Sequence, residues 1–287
     1  MTSLIVPPKK LAIYYGWPIA VNGTWSVAAA IQEFNAYDTV VFGSGLEEST
    51  HPEYQSTKDI INGSTANIYG YVDATLSLSV IQDKVDKWSI MGGTTKKIVG
   101  IFCDQFGYDY GLTRTQQNSI VDYIHGKSLN VFANAWNPDD VFKKSGTIST
   151  HMTTTDIYLA ESYQIINGAY QDATTWKAKA DKMKTYREIG PGKSQMACIT
   201  TNDASAYDQN KFDYAYYSCA LYAFDHCGWG EEYYSASSAQ LPFRSRKQIL
   251  GNKVTGNIVT IGTTYERSTN VGIHVDTTNH TVSEYLN

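Results

Sequence analysis

KIVGIFCDQ, residues Lys97–Gln105, decides the reading of this chain: an apolar run ends directly in an acid and an amide. Near-continuous apolar runs of this kind belong to strands buried on both faces of a parallel sheet. Working outward from it, Lys97–Cys103 is one of eight such runs. Leu11–Trp17 (LAIYYGW), Thr39–Phe42 (TVVF) and Asn67–Val72 (NIYGYV) precede it, and Asn130–Asn134 (NVFAN), Asp156–Ala160 (DIYLA), Gln195–Ile199 (QMACI) and Cys227–Trp229 (CGW) follow. Helical segments lie between them. In Ser77–Met91, Leu78, Ile81, Val85 and Trp88 recur at 3, 4, 3 spacing behind a capping serine; in Thr115–His125, Ile120, Val121 and Ile124 form the stripe. Trp25–Phe34, Glu53–Ile61, Ala173–Glu188 and Asp208–Phe224 read the same way. Eight strands joined by helices predict an α/β fold, a (β/α)8 TIM barrel. An open doubly wound sheet is the rival, and no GxGxxG or GxxxxGK[ST] follows a strand to support its nucleotide-binding forms.

The character changes near Leu241. Gly251–Asn287, rich in Thr, Val, Asn and Gly, predicts a small C-terminal antiparallel β extension, packed on the barrel or serving attachment or oligomerisation. The expected division is a barrel over 1–240 and the extension over 241–287. With 287 residues, 42% of them hydrophobic, the chain can bury a large core. Its 23 basic and 28 acidic side chains give −5 with no Lys/Arg run, which argues against nucleic acid or an anionic membrane surface. No apolar stretch is long enough for membrane insertion. The start, MTSLIVPPKKLAIYYGW, shows no secretion signal in the usual order. Cys103, Cys198, Cys219 and Cys227 have no metal-ligand spacing and are expected as buried thiols, with a Cys219–Cys227 bridge left open. The histidines are scattered, so neither metal nor cofactor is expected.

Barrel chemistry sits at the C-terminal ends of the strands. There the chain offers Tyr14 and Trp17, then Tyr71 and Asp73, Asp104, Asn134 and Trp136, Glu161 and Tyr163, and Trp229 and Glu231. Carboxylates, amides and aromatics are the parts of a glycoside-hydrolase cleft, where two acids flank the scissile bond. Asp104 and Glu161 are the expected catalytic pair, Asn134 a sugar or N-acetyl contact, Asp73 and Glu231 secondary binding acids, and the rings stacking platforms. The plain alternatives are a turn cap for Asp104, a salt bridge for Glu161, a loop-holding amide for Asn134 and core packing for each ring.

In that order the motifs YYGWP, GYVD, GIFCDQ, VFANAWNP and YLAESY resemble the spherulin-like and polygalactosaminidase-like barrels, glycoside hydrolase families 114 and 135. The resemblance covers about Leu11 to Tyr234 and is most specific at Gly-Ile-Phe-x-Asp. It implies an endo-acting hydrolase of extracellular polysaccharides containing galactosamine or N-acetylgalactosamine. It implies Asp104 as nucleophile or charge stabiliser, Glu161 as proton donor then base, and Asn134 as the amide between them. Gln105 departs from the pattern, because many relatives carry a second acid there. The substrate would place the protein outside the cell or on a virion. The rival functions are a non-catalytic carbohydrate-binding barrel, such as a virion attachment protein, and a structural barrel with a filled mouth.

Overall fold

The computed structural model describes residues 7–190, 193–201, 207–230, 258–268 and 271–286. Eight parallel strands close into a barrel: β1 (Lys9–Tyr14), β2 (Thr39–Phe42), β3 (Asn67–Asp73), β4 (Gly100–Asp104), β5 (Asn130–Asn134), β6 (Ile157–Ala160), β9 (Gln195–Ile199) and β10 (His226–Gly228). Around the barrel the order is β1-β10-β9-β6-β5-β4-β3-β2, so β1 pairs with β10 and the open-sheet rival is excluded. A two-stranded ribbon, β7 (Ile165–Ile166) and β8 (Ala169–Tyr170), leaves the mouth after β6. All eight predicted barrel strands are present. The first is shorter than expected at its C-terminal end, because Pro18 opens a 3-10 turn over Pro18–Gly23 and Trp17 lies outside the strand.

Alternation along the strands divides their side chains between two cores. Leu11, Ile13, Val41, Tyr69, Phe102, Phe132, Ile157, Leu159, Ala197 and Ile199 fill the barrel interior, with Tyr15 and Tyr71 partly buried above them. The intervening residues, such as Ala12, Val40, Ile101, Val131 and Tyr158, point outward into the larger layer beneath the helices. The helices are α1 (Val27–Phe34), α2 (Tyr54–Gly63), α3 (Leu78–Ser89), α4 (Arg114–Gly126), α5 (Pro138–Phe142), α6 (Ala173–Ile189) and α7 (Gln209–Leu221). In α4 the predicted stripe is buried, and Thr113 and Gln116 close a reciprocal capping box. In α3, Ile81, Val85 and Trp88 are buried; Ser77 occupies the cap position but its side chain makes no capping bond. Helix α5 was missed in the sequence because it is a single short element, started by the Asn137 cap and Pro138.

At the C-terminus, β11 (Val259–Ile261), β12 (Thr264–Ser268), β13 (Val271–Asp276) and β14 (Thr281–Leu286) form an antiparallel sheet in chain order. It packs on α7 and α6: Ile273 and Val275 are buried, Tyr265 meets Trp176 edge-on, and His280 stacks on Tyr170 at 3.9 Å. Covered by barrel on one side and sheet on the other, α7 is buried at every position from Phe212 to Leu221. The expected boundary at 240/241 lies outside the described residues. All four cysteines are free and buried, so the Cys219–Cys227 bridge is absent. No described helix is long and apolar enough to cross a membrane.

Candidate active site

The interior-facing positions of β4, β5 and the end of β6 continue upward into Asp104, Asn134 and Glu161. In β4 the inward set is Phe102 and then Asp104; in β5, Phe132 and then Asn134; after β6, Leu159 and then Glu161. All three line one cavity of about 440 Å³ at the barrel mouth, together with Gln105, Tyr110 and Trp136. Each acid is followed by a non-glycine residue in the left-handed region, Gln105 at φ 56° and Ser162 at φ 54°. That bend ends the extended run directly behind the carboxylate and turns the chain over the rim. It costs roughly 1–2 kcal/mol per residue.

A single amide joins the pair. The Asn134 Nδ2 donates to Asp104 Oδ1 at 2.9 Å and to Glu161 Oε2 at 2.8 Å. The two hydrogens of a planar amide nitrogen diverge by about 120°, so the two accepting oxygens stand roughly 5 Å apart. Asp104 accepts two further hydrogen bonds, from the Tyr71 hydroxyl to Oδ2 at 2.8 Å and from the Gln105 backbone N–H to Oδ1 at 2.9 Å. Tyr71 is itself held from behind, since the Trp88 indole N–H donates to its carbonyl at 3.0 Å. Burial raises the Tyr71 hydroxyl strongly, with the Asp104 charge adding to it, so the group stays a donor.

Glu161 sits in a different environment. Burial pushes its carboxyl above the ordinary glutamate range and the Asp104 charge adds to the rise, while the Asn134 hydrogen bond and the Lys179 charge work against it. Lys179 reaches in from α6, its ammonium 3.6 Å from the centre of the Trp136 ring. Burial brings its amine down to about 8. One carboxyl fixed by three donors beside a second that favours its proton is the arrangement for paired acid and nucleophile chemistry.

Several expected site residues lie elsewhere. Tyr14 is not in the cleft: it alternates outward from Ile13, buries its ring against Phe34 at 5.5 Å and donates to the Trp17 carbonyl. Tyr15 takes the inward place, its ring 5.3 Å from that of Tyr71. Counting by two from Leu11 would have found it. Tyr163 is also not a platform, because the bend at Ser162 sends it into the outer layer against Trp176 and Phe224. Trp229 is likewise buried, packed on Phe212 and Tyr207. Asp73 pairs in register with Asp104 but holds the turn into α3, accepting from the backbone N–H and hydroxyl of Thr75. Trp17, 38% exposed, contacts Trp25 and His51 on another part of the rim. Trp136, 48% exposed, does wall the acid cavity. Glu231 lies outside the described residues. Lys179 and Tyr110 escaped the sequence reading because they project from a helix and a 3-10 turn, not from strand ends.

No family model matches the chain, and no curated protein matches it. Among solved structures it is similar to the type I 3-dehydroquinate dehydratase of Clostridium difficile, at TM-score 0.48 and 8% identity over 80% of this chain and 90% of that one. It is also similar to a putative fructose-1,6-biphosphate aldolase of Coccidioides immitis, at TM-score 0.44 and 6% identity over 78% and 73%. The beta-1,4-mannanase of the sea hare Aplysia kurodai gives TM-score 0.41 and 8% identity over 78% and 88%. These are TIM-barrel enzymes. The barrel assignment itself rests on the closed strand order of this chain.

Proposed function

We propose that this chain is a glycoside hydrolase that cleaves an extracellular polysaccharide containing galactosamine or N-acetylgalactosamine, with retention of configuration. The observation that carries the reading is the Asn134 amide shared by the two carboxylates, whose bound oxygens stand roughly 5 Å apart, a separation that supports the retaining arrangement. The amino-sugar substrate class comes from the motif resemblance.

In the first half-reaction the Glu161 carboxylic acid gives its proton to the glycosidic oxygen as the bond from that oxygen to the anomeric carbon breaks. An Asp104 oxygen forms the new bond to the anomeric carbon, and the leaving sugar departs as an alcohol. In the second, Glu161 takes a proton from water, whose oxygen displaces Asp104. Burial raises the proton affinity of Glu161, which favours the form that donates in the first half-reaction. Tyr71 and the Gln105 N–H hold Asp104 in line. Trp136 and Tyr110 line the cavity wall. Such an enzyme would work outside the cell or on a virion, with the polysaccharide as its partner.

Glu161→Gln and Asp104→Asn should each lower the release of reducing ends from amino-sugar polymers by about 1,000-fold while polymer binding persists. A wild-type protein that binds the polymers and never cleaves them would make this a carbohydrate-binding barrel instead.

A further inference from the structure

A second cavity, of about 430 Å³, opens beside the first, between the turn into α3 and the beginning of α4. Tyr110 is a wall of both. It rides on the 3-10 turn Tyr108–Tyr110, closed by Gly111 in the left-handed region at φ 86°, and is 50% exposed. The lining of the second cavity mixes apolar side chains, among them Leu76, Leu78 and Leu112, with uncharged polar ones, among them Ser77, Thr115 and Gln116. Among the described residues no Asp, Glu, Lys or Arg lines it, whereas both acids line its neighbour. Leu76 and Leu78, 38% and 41% exposed, give the second cavity apolar surface open to solvent.

We propose that this cavity is a distal glycosyl subsite that takes a neutral, N-acetylated hexosamine unit of the same polysaccharide strand whose scissile linkage lies over Asp104 and Glu161. The inference rests on the hydrolase reading and narrows its substrate. Each cavity falls within the roughly 300–1,000 Å³ of small-molecule sites, and a strand crossing the Tyr110 ring occupies both. The C–H face of a pyranose and its acetamido methyl suit the leucines, and its hydroxyls suit Thr115 and Gln116. A free ammonium, as in unacetylated galactosamine, would lose water there with no counter-charge in the walls.

The test is calorimetric titration of the Glu161→Gln protein, which keeps its ligand intact, with N-acetylated galactosamine oligomers of increasing length and their de-N-acetylated equivalents. Affinity for the acetylated series should rise with length. Adding Thr115→Trp, which plugs the second cavity from an exposed helical position, should weaken the longest oligomer about tenfold and leave the shortest unchanged. Leu78→Ser, a milder change at an exposed site, should weaken the longest severalfold. The de-N-acetylated series should gain little with length. The same length dependence with and without Thr115→Trp and Leu78→Ser, or an equal gain by the de-N-acetylated series, overturns the subsite and leaves the hydrolase reading standing. Absence of binding by every oligomer ends the hydrolase reading and the subsite together.

Discussion

Asn134 gives both amide hydrogens to carboxylates, so a single side chain fixes the spacing of the pair and lowers the proton affinity of one member. Lys179 acts on the same member through its charge, pulling Glu161 down against the rise that burial imposes. In the proposed reaction Glu161 acts in its protonated form, so activity should fall as pH climbs through its raised value. Lys179→Met removes the opposing charge, so the alkaline limb of the pH–rate profile should move to higher pH; an unmoved limb would detach Lys179 from the reaction. The stability effect has a definite sign. A carboxyl whose proton affinity is raised on folding contributes fully below the unfolded glutamate value of about 4.3, and that contribution is lost as pH rises through the folded value. Glu161→Gln should therefore be more stable than the parent at neutral pH, with the difference vanishing in acid, as thermal unfolding across pH will read. Asp104, Asn134 and Glu161 were legible in the sequence because each ends an apolar run. Tyr14 and Tyr163 misled because adjacency to a strand end says nothing about facing: Tyr14 falls on the outward phase of β1, and the left-handed Ser162 breaks the alternation before Tyr163. Lys179 could not be read at all, since only the packing of α6 against the barrel brings a helical lysine over Trp136.

At the scale of elements, α3 positions the site through β3. Its Trp88 covers Gly70 and donates to the carbonyl of Tyr71, and a methyl group at Gly70 would come within 2.2 Å of the indole. Gly70→Ala should destabilise the fold by about 1–3 kcal/mol through overpacking. It should also lower turnover, because displacing the indole loosens the strand that aims Tyr71 at Asp104. Denaturant melts and kcat measured together will separate this from a merely structural effect, which would leave the kcat of the folded fraction intact. Helices α3 and α4 were legible because one face of each is wet and the 3.6-residue period shows. Helix α7 was placed correctly but read as amphipathic, although sheet and barrel cover it on both sides; a run such as FDYAYYSCAL carries no contrast from which to read a face.

Across the whole molecule, the C-terminal sheet acts as a cover for α6 and α7. Ending the chain before Ile258 would uncover Trp176 and the outer face of α7, and should lower the thermal midpoint or drive aggregation in size-exclusion runs. An unchanged midpoint would make the sheet an independent module. The presence of this sheet was legible from its Thr/Val alternation, but its docking surface was not, because contacts between distant segments leave no local pattern. Barrel closure has a further consequence. The first strand finds one of its two neighbours only in the eighth, Lys9 opposite His226. On a ribosome adding about 5–20 residues per second, the nascent chain would wait roughly ten to forty seconds with that edge unpaired, which is the interval in which chaperones would have to hold it.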